Sequence, residues 1–161
     1  MRSIAVGLLL CGTALADPAP KPKAAPSAPK GPAVKVPPMP PQINDTLFAD
    51  PATAKWAPIP ELPKGAMGAL IGTEPAEGGM AGWLKLPAGY HVPTEWETHL
   101  TNYTVVSGQL TITNNGVKHV LGPGGFALVG SKDKHELSCG NAECLIVVRH
   151  FGPPDMHWVK K

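Results

Sequence analysis

The sequence predicts an all-β chain folded as a sandwich or barrel, and three observations carry that prediction. Beyond Ala66 no apolar helical period is sustained. Residues 81–86, 103–106, 109–113, 117–121, 126–129 and 144–151 are short β-branched or aromatic runs divided by Gly, Pro and Asn. Asn115-Gly116 stands between Thr-Ile-Thr-Asn and Val-Lys-His-Val, where a two-residue hairpin turn requires both central residues to accept positive φ.

In chain order, residues 1–16 read as a secretory signal. Arg2 supplies the positive end, residues 4–10 the apolar stretch, and Ala14-Leu15-Ala16 the small-x-small pattern cut before Asp17. The apolar run falls well short of the ~20 residues that span a bilayer, so a transmembrane anchor is not expected. Lipidation at Cys11 is an alternative that Leu8-Leu9-Leu10 disfavours, because such signals place a small residue before the Cys. Export places the mature protein in the periplasm or outside the cell.

Residues 17–42 are Pro, Ala and Lys with almost nothing large and apolar, a composition that does not offset the entropy of ordering and predicts a disordered tether. Lys21, Lys23, Lys30 and Lys35 lie in it, and the whole chain carries a net charge of only +2, so no nucleic-acid footprint remains in the folded part. The basic tether is a solvated spacer or makes weak contact with an anionic envelope surface. Residues 43–161 form the single folded domain, and exposed strand edges in so small a β domain make a homodimer plausible.

Cys139 and Cys144 remain after removal of the signal. They flank the turn-rich Gly-Asn-Ala-Glu between two strand-like runs, which predicts a disulfide across a hairpin in an oxidising compartment. Pairing outward from Asn115-Gly116 sets Ile112 opposite His119 and Leu110 opposite Leu121, which places His119 on the core-side face as a hydrogen-bonded core His or, less simply, a site residue. Gly122-Pro123-Gly124-Gly125 reads as the turn before a strand, since no helix follows it to build a phosphate loop.

The segment from Gly89 to Gly108 resembles the first cupin motif, G-x5-H-x-H-x3-E-x6-G, with every interval kept and with Glu95, Glu97 and Thr101 at the two His and one Glu positions. Gly124 to His135 has the length of the second motif, G-x5-P-x-G-x2-H, with Gly130 at the Pro position and Lys132 at the Gly position; His135 is unchanged. Leu86-Pro-Ala-Gly-Tyr90, Trp96 between the two Glu residues, and His150-Phe-Gly-Pro153 are similar to corresponding parts of small single-domain bacterial cupins. The resemblance covers about residues 60–159 and implies a cupin-type, RmlC-like jelly-roll β-barrel.

In a strand, residues two apart share a face, so Glu95, Glu97, His99 and Thr101 line one side if no bulge intervenes, and the resemblance turns that side into the barrel. Neighbouring buried carboxylates need a cation, a ligand or raised pKa values. Three alternatives follow. Glu95, Glu97 and His135, with His99, hold a divalent ion such as manganese, iron or zinc. Or the same carboxylates and His135 bind or rearrange a small polar molecule without metal. Or the mouth has opened and the Glu side chains face water. The expected function is ligand or metal binding through an altered cupin site, with a metal-dependent oxygenase- or isomerase-like enzyme as the alternative. His91 and His157 are expected at the surface, and periodicity does not orient His150.

Overall fold

The computed structural model of the chain describes residues 46–160. The expected signal segment and tether lie outside the described residues. Within them, eleven strands follow one another: β1 (Ala57–Pro58), β2 (Met67–Glu74), β3 (Gly79–Leu86), β4 (His91–Trp96), β5 (Thr101–Ser107), β6 (Leu110–Asn114), β7 (Val117–Leu121), β8 (Phe126–Val129), β9 (His135–Cys139), β10 (Cys144–His150) and β11 (His157–Trp158). No helix among the described residues is long and apolar enough to cross a membrane.

The strands form two antiparallel sheets, β1-β2-β3-β10-β5-β8 and β11-β4-β9-β6-β7. Alternation along the strands turns one face of each sheet inward. Leu84, Leu86, Val105 and Ile146 from the six-stranded sheet meet Val92, Leu110, Ile112 and Leu137 from the five-stranded sheet in one buried core. The hairpin register is the one expected, Ile112 opposite His119 and Leu110 opposite Leu121. Its turn residues Asn115 and Gly116 have φ of 50° and 78°.

The glycines singled out by spacing stand at left-handed turns. Gly89, Gly108 and Gly124 have φ of 69°, 81° and 80°, and Lys132, where the resemblance would place a glycine, has the same left-handed conformation at 63°. A side chain there costs about 1–2 kcal/mol. The turn is held because Lys132 N–H donates to the Glu97 carbonyl at 2.8 Å, fixing the segment that carries Glu97.

Two expectations need correction. Cys139 and Cys144 are disulfide-bonded, but not across a hairpin. Cys139 lies in β9, paired with β6, whereas Cys144 lies in β10, paired with β3, so the bond ties the two sheets together at a buried corner. His119 shares a face with Ile112 yet is exposed, because β7 is the outermost strand of its sheet and that face borders an open space shared with β8.

Two outcomes are expected. Replacing both cysteines by alanine should lower the unfolding free energy by roughly 2 kcal/mol, the low end for a bond closing a short loop; urea denaturation measures this, and two free thiols in the native protein would contradict it. Lys132→Gly should raise stability by roughly 0.5–1 kcal/mol, since relief of left-handed strain exceeds the added entropy of the unfolded chain. An unchanged or lower urea midpoint would count against strain at this turn.

Candidate ligand-binding site

The site lies between the sheets and is assembled from two cross-strand pairs. In the five-stranded sheet Glu95 of β4 stands directly opposite His135 of β9. In the six-stranded sheet Thr101 of β5 stands opposite His150 of β10. Residues opposite one another share a face. Glu97, on the short connection between β4 and β5, meets the second pair through His150.

A register shift between Val92 and Glu95 decides which side chains of β4 point inward. Pro93 lies within it, and a residue without an N–H cannot serve an uninterrupted ladder. The shift puts Val92 and Glu95 inside together, three residues apart, and exposes His91 and Pro93. Beyond it Glu95 and Glu97 are both buried, at 1% and 5% exposure. The solvent-facing alternative therefore does not hold.

His135, fully buried, places Nε2 3.0 Å from Glu95 Oε1. Its Nδ1 lies 3.0 Å from the Asp133 carbonyl, an acceptor only, so Nδ1 carries a proton and donates. The Nε2–Oε1 contact then holds a further proton. Tyr103, from the opposite sheet, brings its hydroxyl to 3.3 Å from the same Nε2. Burial, with the charges of Glu97 and Glu95 added to it, pushes the Tyr103 phenol well up, so it stays protonated. His150 Nδ1 is 3.2 Å from Glu97 Oε1 and 3.3 Å from the Thr101 hydroxyl. Each glutamate thus spends one oxygen on an imidazole. The second oxygen, Oε2, of both Glu95 and Glu97 is buried with no hydrogen-bond partner.

Both carboxylates border a cavity of about 350 Å³ walled by Leu84, Val92, Leu137 and Val148 among others. The small residues Gly68, Ala69 and Gly82 also line it. At the mouth, Asp155 accepts from the Thr98 N–H at 2.9 Å and from the Thr98 hydroxyl, and pairs with His157 at 2.8 Å. Burial alone would raise its carboxyl, but these bonds and the His157 charge outweigh it and bring it down to about 2. His157 also stacks on Trp96, ring centres 4.0 Å apart, so the C-terminal segment is anchored beside the cavity.

Of the residues expected at the site, Glu95, Glu97, Thr101 and His135 come together. His99 does not. Strand β4 ends at Trp96, the chain turns, and the His99 ring packs against Gly152, where a Cβ would collide with it. His150 and Tyr103 were not expected; Tyr103, two residues beyond Thr101 on the same strand face, was within reach of the alternation argument. Among the described residues no three His, Cys, Asp or Glu side chains converge to hold a metal ion, so the expected donor set is not assembled as a group; His135 Nε2 is paired with Glu95.

No family model matches the sequence, and no curated protein matches it. Solved structures do. An RmlC-like cupin from Shewanella frigidimarina has a TM-score of 0.56 at 19% identity, over 66% of this chain and 90% of that one. The polyketide cyclase RemF from Streptomyces resistomycificus gives 0.60 at 15%, over 73% and 87%. KdgF from a Halomonas species gives 0.58 at 18%, over 69% and 96%. At such identities the likeness carries architecture and leaves activity open. The two facing antiparallel sheets, the four left-handed motif positions and these matches together establish that the chain has the cupin, RmlC-like jelly-roll fold.

Proposed function

We propose that this chain is an exported cupin that binds a small polar molecule in the cavity between its sheets, without a resident metal. The observation that carries the reading is the pair of orphaned Oε2 atoms on buried Glu95 and Glu97, both residues bordering that cavity. An unsatisfied buried polar atom costs about 1–3 kcal/mol, and more when charged. A ligand that donates to these oxygens removes the cost. Small-molecule sites commonly combine apolar walls with a few fixed polar groups, and this cavity has that make-up. The inter-sheet disulfide supports an oxidising compartment and so the export that residues 1–16 suggest. A metal-dependent enzyme would need donors that this arrangement does not free.

Binding a ligand to the native state alone raises its stability by mass action, about 2.7 kcal/mol at a hundredfold excess over Kd. Polar compounds that donate hydrogen bonds should therefore raise the melting temperature, and Glu97→Gln should reduce that shift. Manganese, iron and zinc should give no comparable rise. A metal-dependent shift erased by His135→Ala would overturn the proposal.

A second expected outcome concerns pH. Burial lowers the His135 pKa, but the Glu95 hydrogen bond and charge, the Asp133 carbonyl and the Glu97 charge outweigh it, leaving the group above its ordinary 6.5. A group whose pKa is raised on folding contributes stability below its unfolded value and loses it as pH rises through the folded value. Unfolding free energy should thus fall as pH increases above 6.5. The slope should vanish in the double variant Glu95→Gln/His135→Gln, which removes both charges together and avoids stranding one. Urea titrations across this interval read the slope, and an equal slope in both proteins would refute the assignment.

A further inference from the structure

The cavity carries more acid than base. Its ionisable lining consists of Glu61, Glu95, Glu97, Asp155, Tyr103 and His150, and no Lys or Arg is among the described residues that line it. These acids differ in how far their demands are met. Asp155 is held by Thr98 and His157. Glu95 shares a proton with His135, so that pair is neutral as a unit whichever atom holds the proton, although its Oε2 is also buried and bare. Glu97 has one side-chain contact, from His150, whose Nδ1 is shared with Thr101, and its other oxygen is buried and bare. Glu61 stands exposed at the mouth.

An anionic ligand would be brought against Glu97 with no fixed cation to receive it, a repulsion strengthened by the apolar walls. A neutral hydroxyl offers one donor to two bare oxygens. An ammonium offers three donors and the opposite charge, and favours the ionised form of the carboxylate that holds it. We propose that the ligand is a primary ammonium ion on a short apolar body, its nitrogen held by Glu97 with Glu95 beside it and its body against Leu84, Val92, Leu137 and Val148. This assignment rests on the reading of the cavity as a ligand site and adds the charge of what it takes.

The test is titration calorimetry on the full chain with matched sets: 2-phenylethylamine and the n-alkylamines from butyl to octyl, each beside the alcohol and the carboxylate of the same skeleton. Amines should bind at least about tenfold more tightly than their alcohols, because desolvated opposite charges interact more strongly than a neutral donor does. The carboxylates should not bind. Glu97→Gln should remove about tenfold from the amines and close most of the gap to the alcohols. Glu61→Gln, exposed and without consequence for folding, should cost the amines about two- to threefold and make their binding less salt-sensitive. Alcohols binding as tightly as amines would overturn the charge assignment while leaving the ligand site intact. Carboxylates binding tightest would also overturn it, as would a folded Glu97→Gln protein with unchanged amine affinity. Should that variant not fold, equal affinity for amines in wild type and Glu61→Gln at low salt would overturn it. No binding by any member of the sets would overturn both this assignment and the ligand-site reading.

Discussion

A carboxylate enclosed between two apolar sheets has to share a proton or face a cation, because the uncompensated charge costs several kcal/mol even after relaxation. Glu95 meets that requirement through His135, and much of the surrounding geometry serves the pairing. The two residues stand directly opposite in the β4–β9 ladder. A slip of one residue in β4 would carry Glu95 to the outer face and bring Trp96 in. The irregularity around Pro93 sets the phase, the Asp133 carbonyl fixes which ring nitrogen of His135 points at the glutamate, and Tyr103 closes the third side from the opposite sheet. Replacing His135 alone would therefore strand a buried charge, a different perturbation from removing the pair.

Much of the fold was legible because intervals between glycines encode backbone shape independently of the side chains between them. Gly89, Gly108 and Gly124 each adopt the positive φ for which glycine is suited, and the spacing that singled them out is a spacing of turns. Lys132 shows the rule from the other side, since the turn survives a residue that disfavours it because the backbone bond to Glu97 holds it in place. The Asn115-Gly116 hairpin was legible for the same reason, its register following from a two-residue turn. Glu95, Glu97, Thr101 and His135 followed from the motif intervals, since they sit at fixed distances from those turns.

What escaped the sequence depends on where strands stop and which strands become neighbours. Alternation extended from Glu97 would place His99 on the inner face, but it ceases to apply once β4 ends at Trp96. His150 lies on a strand whose periodicity does not orient it, and only its pairing with Thr101 shows that it faces Glu97. Hairpin logic ordered the face of His119 correctly and could not show that β7 would be the last strand of its sheet. The disulfide illustrates the same limit. Four residues lie between its cysteines in sequence, which suggests a hairpin, while the chain between them crosses from one sheet to the other.

Two glutamates on the inner wall set what this interior requires. They bring negative charge, and the first, Glu95, is paired with the fully buried His135 at 3.0 Å. The second has no equivalent buried partner. His150 comes from the other sheet, is 16% exposed where His135 is fully buried, and divides its Nδ1 between Glu97 and Thr101. The unmet demand of the interior therefore rests on the two bare Oε2 atoms, both on the cavity wall, and Glu97 carries the larger part because its imidazole partner is shared with Thr101.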